Sequence, residues 1–218
     1  MFNTALSTLL TISIIGTNTF SAVMAPKPTE EFILERQISL NNRLFYPTAN
    51  QVYKDNILLN MAYLRGIQKK GIPVNWDEER KPFTYSFILE QNQTFAFHDA
   101  VFDKYNGTVS LTTNSHFDAS EGYKSDGRLY GMGVCHLASI INYAASDAGL
   151  STEVPSNHNF APINEVPREY GVAIYATPDS AVSSQRQNLY ITNNFDKPVK
   201  FQFEFDGDIL KVKILKIS

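Results

Sequence analysis

The chain has 218 residues, enough for one domain with a substantial core, and its 43% apolar and 19% charged content is that of an ordinary soluble globular protein. A net charge of −3 without a long basic run argues against nucleic acid as a partner. Fifteen Phe and eleven Tyr against a single Trp lean toward a strand-rich fold.

The N-terminus carries no charged side chain before Lys27. A short apolar centre at 9–15 is followed by the small-residue run Ser21-Ala22-Val23-Met24-Ala25, which reads as an export signal over 1–25 that lacks a basic start. Ser, Thr and Asn interrupt the apolar run, so a membrane-spanning helix is not expected. If uncleaved, the segment could hold the protein peripherally at a membrane. Residues 26–50 read as a linker and N-terminal extension, and 51–218 as the domain.

Apolar residues Ile57, Leu58, Met61, Ala62, Leu64 and Ile67 recur at helical spacing and predict a helix over 52–68, stopped near Gly71. Strands are predicted at 83–89, 94–102, 108–114 and 188–194, separated by Asn, Gln and Gly turns. At the C-terminus Val199, Phe201, Phe203 and Phe205 alternate with polar residues. Asp206-Gly207-Asp208 then turns the chain into Leu210, Val212 and Ile214, a half-buried hairpin. The expected fold is α+β: a single domain with an antiparallel β-sheet and two main helices.

The second helix lies within "YGMGVCHLASIINYAASDAGL", after its two glycines, and holds the only cysteine. Val134, Leu137, Ile141, Ala144, Ala145 and Ala148 form its apolar stripe, with Gly149 as a stop. Cys135, Ser139, Asn142 and Ser146 share the opposite, polar face. In the first turn, unpaired N–H groups and the helix dipole favour a thiolate, so Cys135 is expected to be a nucleophile with a depressed pKa. Gly131 and Gly133 are expected to let the backbone approach a substrate, with nearby N–H groups holding an oxyanion. The alternative for a lone cysteine is a small buried hydrophobe.

"GMGVCHLASIINYAASDAGL" resembles the signature of the VanW domain family, Gly-Gly-Gly-Val-Cys-Gln-x-Ser-Thr-Thr-x-x-Asn-Ala-Ala. "DNILLNMAYLRG", "KPFTYSF" and "SEGY" upstream, and "NLYITNNFDKPVKFQ" downstream, fall where the family has its first helix, its Phe-Ser-Phe strand, its Gly-Tyr and its last strand pair. The resemblance runs over 52–217. It implies an exported protein of a bacterial cell envelope, related to accessory proteins of vancomycin resistance, some of whose relatives are L,D-transpeptidases. By the same resemblance Cys135 is the catalytic nucleophile and His158 its general base. Gly131, Gly133, Val134, His136 and Ser139 are the expected substrate contacts, and a peptidoglycan stem peptide is the partner.

Several family positions differ. His136 replaces Gln, Ala138 replaces the first Ser, and Ile140 replaces the second Thr. Gly171-Val172-Ala173-Ile174 stands in place of Gly-Arg-Asp-Ala, removing a carboxylate that could orient a histidine. Two functions therefore remain open: cysteine-dependent acyl transfer on peptidoglycan, or a non-catalytic wall-binding or accessory module. The four histidines, His98, His116, His136 and His158, show no close pair of zinc-site spacing, so neither metal nor cofactor is expected. His98-Asp99 reads as a surface pair, Asp126-Gly127 as a turn, and the protein as a monomer.

Overall fold

A computed structural model describes residues 28–41, 43, 46–127, 129–159 and 162–218. The expected export signal lies outside the described residues. In chain order the elements are β1 (Glu30–Ser39), α1 (Pro47–Leu64), α2 (Trp76–Glu79), β2 (Phe83–Leu89), β3 (Thr94–Ala96), β4 (Val109–Leu111), α3 (Val134–Asp147), β5 (Ser151–Glu153), α4 (Ala181–Arg186), β6 (Tyr190–Thr192), β7 (Val199–Phe205) and β8 (Ile209–Ile217). They form one mixed α/β body with two four-stranded sheets instead of the single sheet expected.

The first sheet has the order β1-β8-β7-β2 and is antiparallel throughout. The C-terminal hairpin is its centre, paired through Phe203↔Val212 and its neighbours. Residues 30–39, read from sequence as linker and extension, are instead β1, a strand on the β8 edge. Its mixed charged and apolar composition, Glu-Glu-Phe-Ile-Leu-Glu-Arg-Gln-Ile-Ser, hides the alternation that marks the hairpin. The second sheet, β4-β3-β6-β5, includes one parallel pair, β3 with β4. Its strands are only three residues long, shorter than the predicted 94–102 and 108–114, because the chain leaves each for a loop or 3-10 turn.

Alternate residues of β7 face a core in which Phe87 stacks on Phe201 at 4.9 Å and on Phe95 at 5.4 Å. α3 packs across β1 and β8, and α1 packs beside α3. α1 begins with Pro47 in its first turn, where the ring's missing N–H is harmless. It ends at Leu64, so Ile67 of the predicted stripe stands exposed. Its hydrophobic periodicity is blurred because Asp55, Asn56 and Asn60 are buried with the apolar residues. Asp55 accepts from Arg80 at 2.8 and 2.9 Å, from Lys124 at 2.5 Å and from Gln51 at 2.7 Å. Burial opposes its charge, but these donors outweigh that and hold the carboxyl below its ordinary pKa.

Candidate functional site around Cys135

The approach to α3 is fixed from α1. Asn56 donates to the carbonyls of Lys124 and Met132, both at 3.0 Å, and accepts from Lys124 N at 2.8 Å. It therefore clamps both ends of a loop that closes through a Ser125–Tyr130 bridge and contains the expected Asp126-Gly127 turn, with Gly127 at φ +96°. Gly133 has φ +106° and lies so close to α1 that a Cβ there would sit 2.8 Å from the Tyr53 carbonyl oxygen. A Cβ on Gly131 would sit 3.0 Å from that of Phe117. Both glycines thus serve close packing within the protein, Gly133 against α1 and Gly131 against Phe117.

Cys135 stands in the first turn of α3 and is half-buried. Its sulfur accepts from Ile174 N at 3.3 Å, and its thiol donates to Ile174 O at 3.5 Å. Burial pushes the thiol pKa up, and hydrogen bonds from the amides of Ile174 and of Cys135 itself only partly offset this. The expected depressed pKa is therefore not found: desolvation outweighs the helix terminus. Two of the nearby N–H groups are engaged within the protein: Val134 N donates to Gly131 O at 3.1 Å and His136 N to Gly133 O at 3.0 Å.

The polar face of α3 is covered rather than open. Ser139 donates to Cys135 O at 2.6 Å and accepts from Val172 N at 2.8 Å, and Asn142 donates to Tyr170 O at 2.9 Å. The segment from Tyr170 to Ile174 belongs to no sheet, so its main-chain groups find partners on this helix face. Ser139 and Val134 are both buried.

The segments on either side of His158 are tied together, with Ala173 N donating to Ser156 O at 2.9 Å. His158, which is buried, lies edge-on to His136, with ring centroids 5.7 Å apart. His136 also meets Tyr53 edge-on at 4.9 Å. Burial, then the charge of Arg43 and the proximity of His158, push the His136 pKa down to about 3, so this imidazole is neutral near pH 7. The sulfur's hydrogen bonds are with the main chain of Ile174 rather than with either ring. Arg43, Tyr53 and Glu165 complete the neighbourhood. Arg43 ion-pairs with Glu165 and donates to Ser39 O at 2.6 Å. No motif singled these three out, since they come from three distant segments.

A cleft of about 570 Å³ opens beside this region, lined among others by Tyr130, Tyr175, Leu129, His116, Asp99 and Asp118. Tyr175 directly follows Ile174, and Tyr130 directly precedes Gly131. Cys135 itself does not line the cleft. No protein-family model, curated protein or solved structure matches the chain.

The remaining histidines separate sharply. His98, expected at the surface, is fully buried, with its main chain paired to the Asn188 side chain at 3.1 Å in both directions and its ring 3.1 Å from Gln187 O. The preceding strand carries it inward, while Asp99 remains outside and faces His116 at 3.2 Å. Among the described residues, no three His, Cys, Asp or Glu side chains are arranged to hold a metal ion. No described helix is long and apolar enough to cross a membrane.

Proposed function

We propose that the protein is an exported, VanW-like cell-wall protein that binds peptidoglycan stem peptides in the cleft beside Cys135 and acts as an accessory module. The observation that carries the non-catalytic part is the state of the thiol. Its S–H and its lone pair are both satisfied by one residue, Ile174, while burial holds it protonated. A nucleophilic cysteine requires the opposite: a thiolate-favouring environment and a base within hydrogen-bond reach. The assignment to the cell wall rests on the sequence resemblance, with the cleft supplying a surface of suitable size.

A second reading, acyl transfer, is favoured by one arrangement: two imidazoles, one of them neutral near pH 7, packed beside the first turn that bears Cys135. In it the thiolate would attack a stem-peptide carbonyl, expel the terminal residue as an amine, and yield the acyl group to a second amine or to water. Intact mass after incubation with a carbapenem separates the two. An unmodified mass together with co-sedimentation on purified peptidoglycan supports the accessory reading. A stable adduct lost in Cys135→Ser overturns it in favour of the enzyme, and failure to co-sediment overturns both.

A further inference from the structure

We infer that the cleft recognises a primary ammonium group on an aliphatic arm, as in a lysine-type side chain of a peptide; placing that group on a wall peptide rests on the function proposed above. The walls are unusual for a soluble protein. Tyr130 is 50% exposed, Tyr175 49% and Leu129 56%, so three large apolar side chains stand in solvent around one depression. A volume of about 570 Å³ accommodates a side chain with its flanking backbone.

Charge selects the ligand. Asp99, Asp118 and Asp179 line the cleft, and Glu121 lies behind His116, with one oxygen 3.0 Å from its Nδ1. Among the described residues, Lys70, 3.6 Å from Asp118, and His116 stand against these four carboxylates. The described lining therefore stays net negative whether or not His116 is protonated. A carboxylate-bearing group would be repelled. An ammonium is attracted by the carboxylates and by the faces of Tyr130 and Tyr175, while its methylenes can lie against Leu129. A neutral sugar could stack on the same tyrosines, but its affinity would be insensitive to the carboxylates and to salt.

His116 gives the site a pH response. It faces Asp99, Glu121, Lys70 and His98. Burial alone would lower its pKa, but the hydrogen bond its ring donates to Glu121 and the charges of Asp99 and Glu121 raise it above 6.5. Protonation adds positive charge to the cleft, so ammonium binding should weaken as pH falls through that raised value.

The test uses the whole chain and two probes, Nα-acetyl-L-lysine amide and its Nε-acetyl derivative, with chemical-shift perturbation as readout. The lysine probe should shift residues around Tyr130 and Tyr175, and the neutral derivative should not. Added salt should weaken binding. Asp99→Asn and Asp179→Asn should each weaken it, and Tyr130→Ala should cost roughly 2- to 30-fold, the span of one cation–π contact. His116→Gln should flatten the pH response. Unchanged unfolding midpoints would show that these variants still fold. Equal binding of both probes, or no binding of the lysine probe, overturns the inference. If the probe fails while peptidoglycan still binds in a Tyr130-dependent way, the inference falls and the proposed function stands. If the probe binds while peptidoglycan does not, the reverse holds.

Discussion

Alkylation of Cys135 as a function of pH tests the electrostatic account of the site directly. A free thiol with a pKa near 8.5 is a few per cent thiolate at pH 7, and each unit of upward shift removes another factor of ten, about 1.4 kcal/mol. In the folded protein, burial raises the Cys135 pKa despite hydrogen bonds from two amides. Its half-buried position also restricts reagent access. Iodoacetamide should therefore react at pH 7 about tenfold or more slowly with the native protein than with protein in denaturant, and the native midpoint should lie above about 8.5. Linkage gives an independent check. With the folded pKa raised, the cysteine's contribution to stability is complete below the unfolded value and is lost as pH rises through the folded one. A native midpoint within the activated range of about 3.5–7.5 would refute the reasoning and restore the nucleophile.

Asp55→Ala should destabilise the protein by about 3 kcal/mol in urea titration, the lower end for breaking a buried pair, because Arg80 and Lys124 are partly exposed and can recover water. Since the folded pKa of Asp55 is depressed, its contribution is present above its unfolded value and should fade as pH drops through the folded one. Gly133→Ala should cost at least about 1–3 kcal/mol, read as a fall in melting temperature, because φ +106° strains any L-residue and the clash is with α1 backbone that cannot swing away. In NMR titration the His136 ring should stay neutral down to about pH 4, whereas His116 should titrate above 6.5. The depressed His136 pKa makes stability rise with pH between about 3 and 6.5, and His136→Gln should flatten that rise.

The elements legible in the sequence are those whose burial pattern matches their period. β2 falls on residues 83–89 as predicted, and the Val199–Phe205 alternation gives β7 residue for residue, because one face of each meets the core. α3 begins at Val134 as its glycines indicate. β1 was hidden because its hydrogen-bonding partner, β8, lies about 180 residues away and its side chains are mostly half-exposed. The polar stripe of α3 misled for a different reason. Ser139 and Asn142 look like solvent-facing residues, but they hold the backbone of a non-sheet segment that arrives from 28 and 33 residues downstream. Helical spacing shows which residues share a face and is silent on what covers it. The neighbourhood of His136 was illegible for the same reason, since Arg43 and Glu165 arrive there from loops far apart in the chain.

Ile174 and Tyr175 join the sulfur to the cleft through one peptide unit. The carbonyl of that unit accepts from the Cys135 thiol, and its N–H, on Tyr175, donates to Gln187 O at 3.2 Å. Freeing the sulfur by rotating this peptide would break both bonds at once, and the Ile174 amide that donates to the sulfur lies one residue before it. A ligand resting on the exposed Tyr175 ring has no need to move the peptide, so under the accessory reading the thiol should remain closed when the cleft is filled. The alkylation rate at pH 7 should then be unchanged within about twofold by a saturating stem peptide, a difference well under 1.4 kcal/mol. Acyl transfer requires the opposite, because a substrate carbonyl can reach the sulfur only after Ile174 releases it. A ligand-dependent acceleration of tenfold or more would show that the cleft drives this peptide between two positions, and that Cys135 is a nucleophile kept protonated until its substrate arrives.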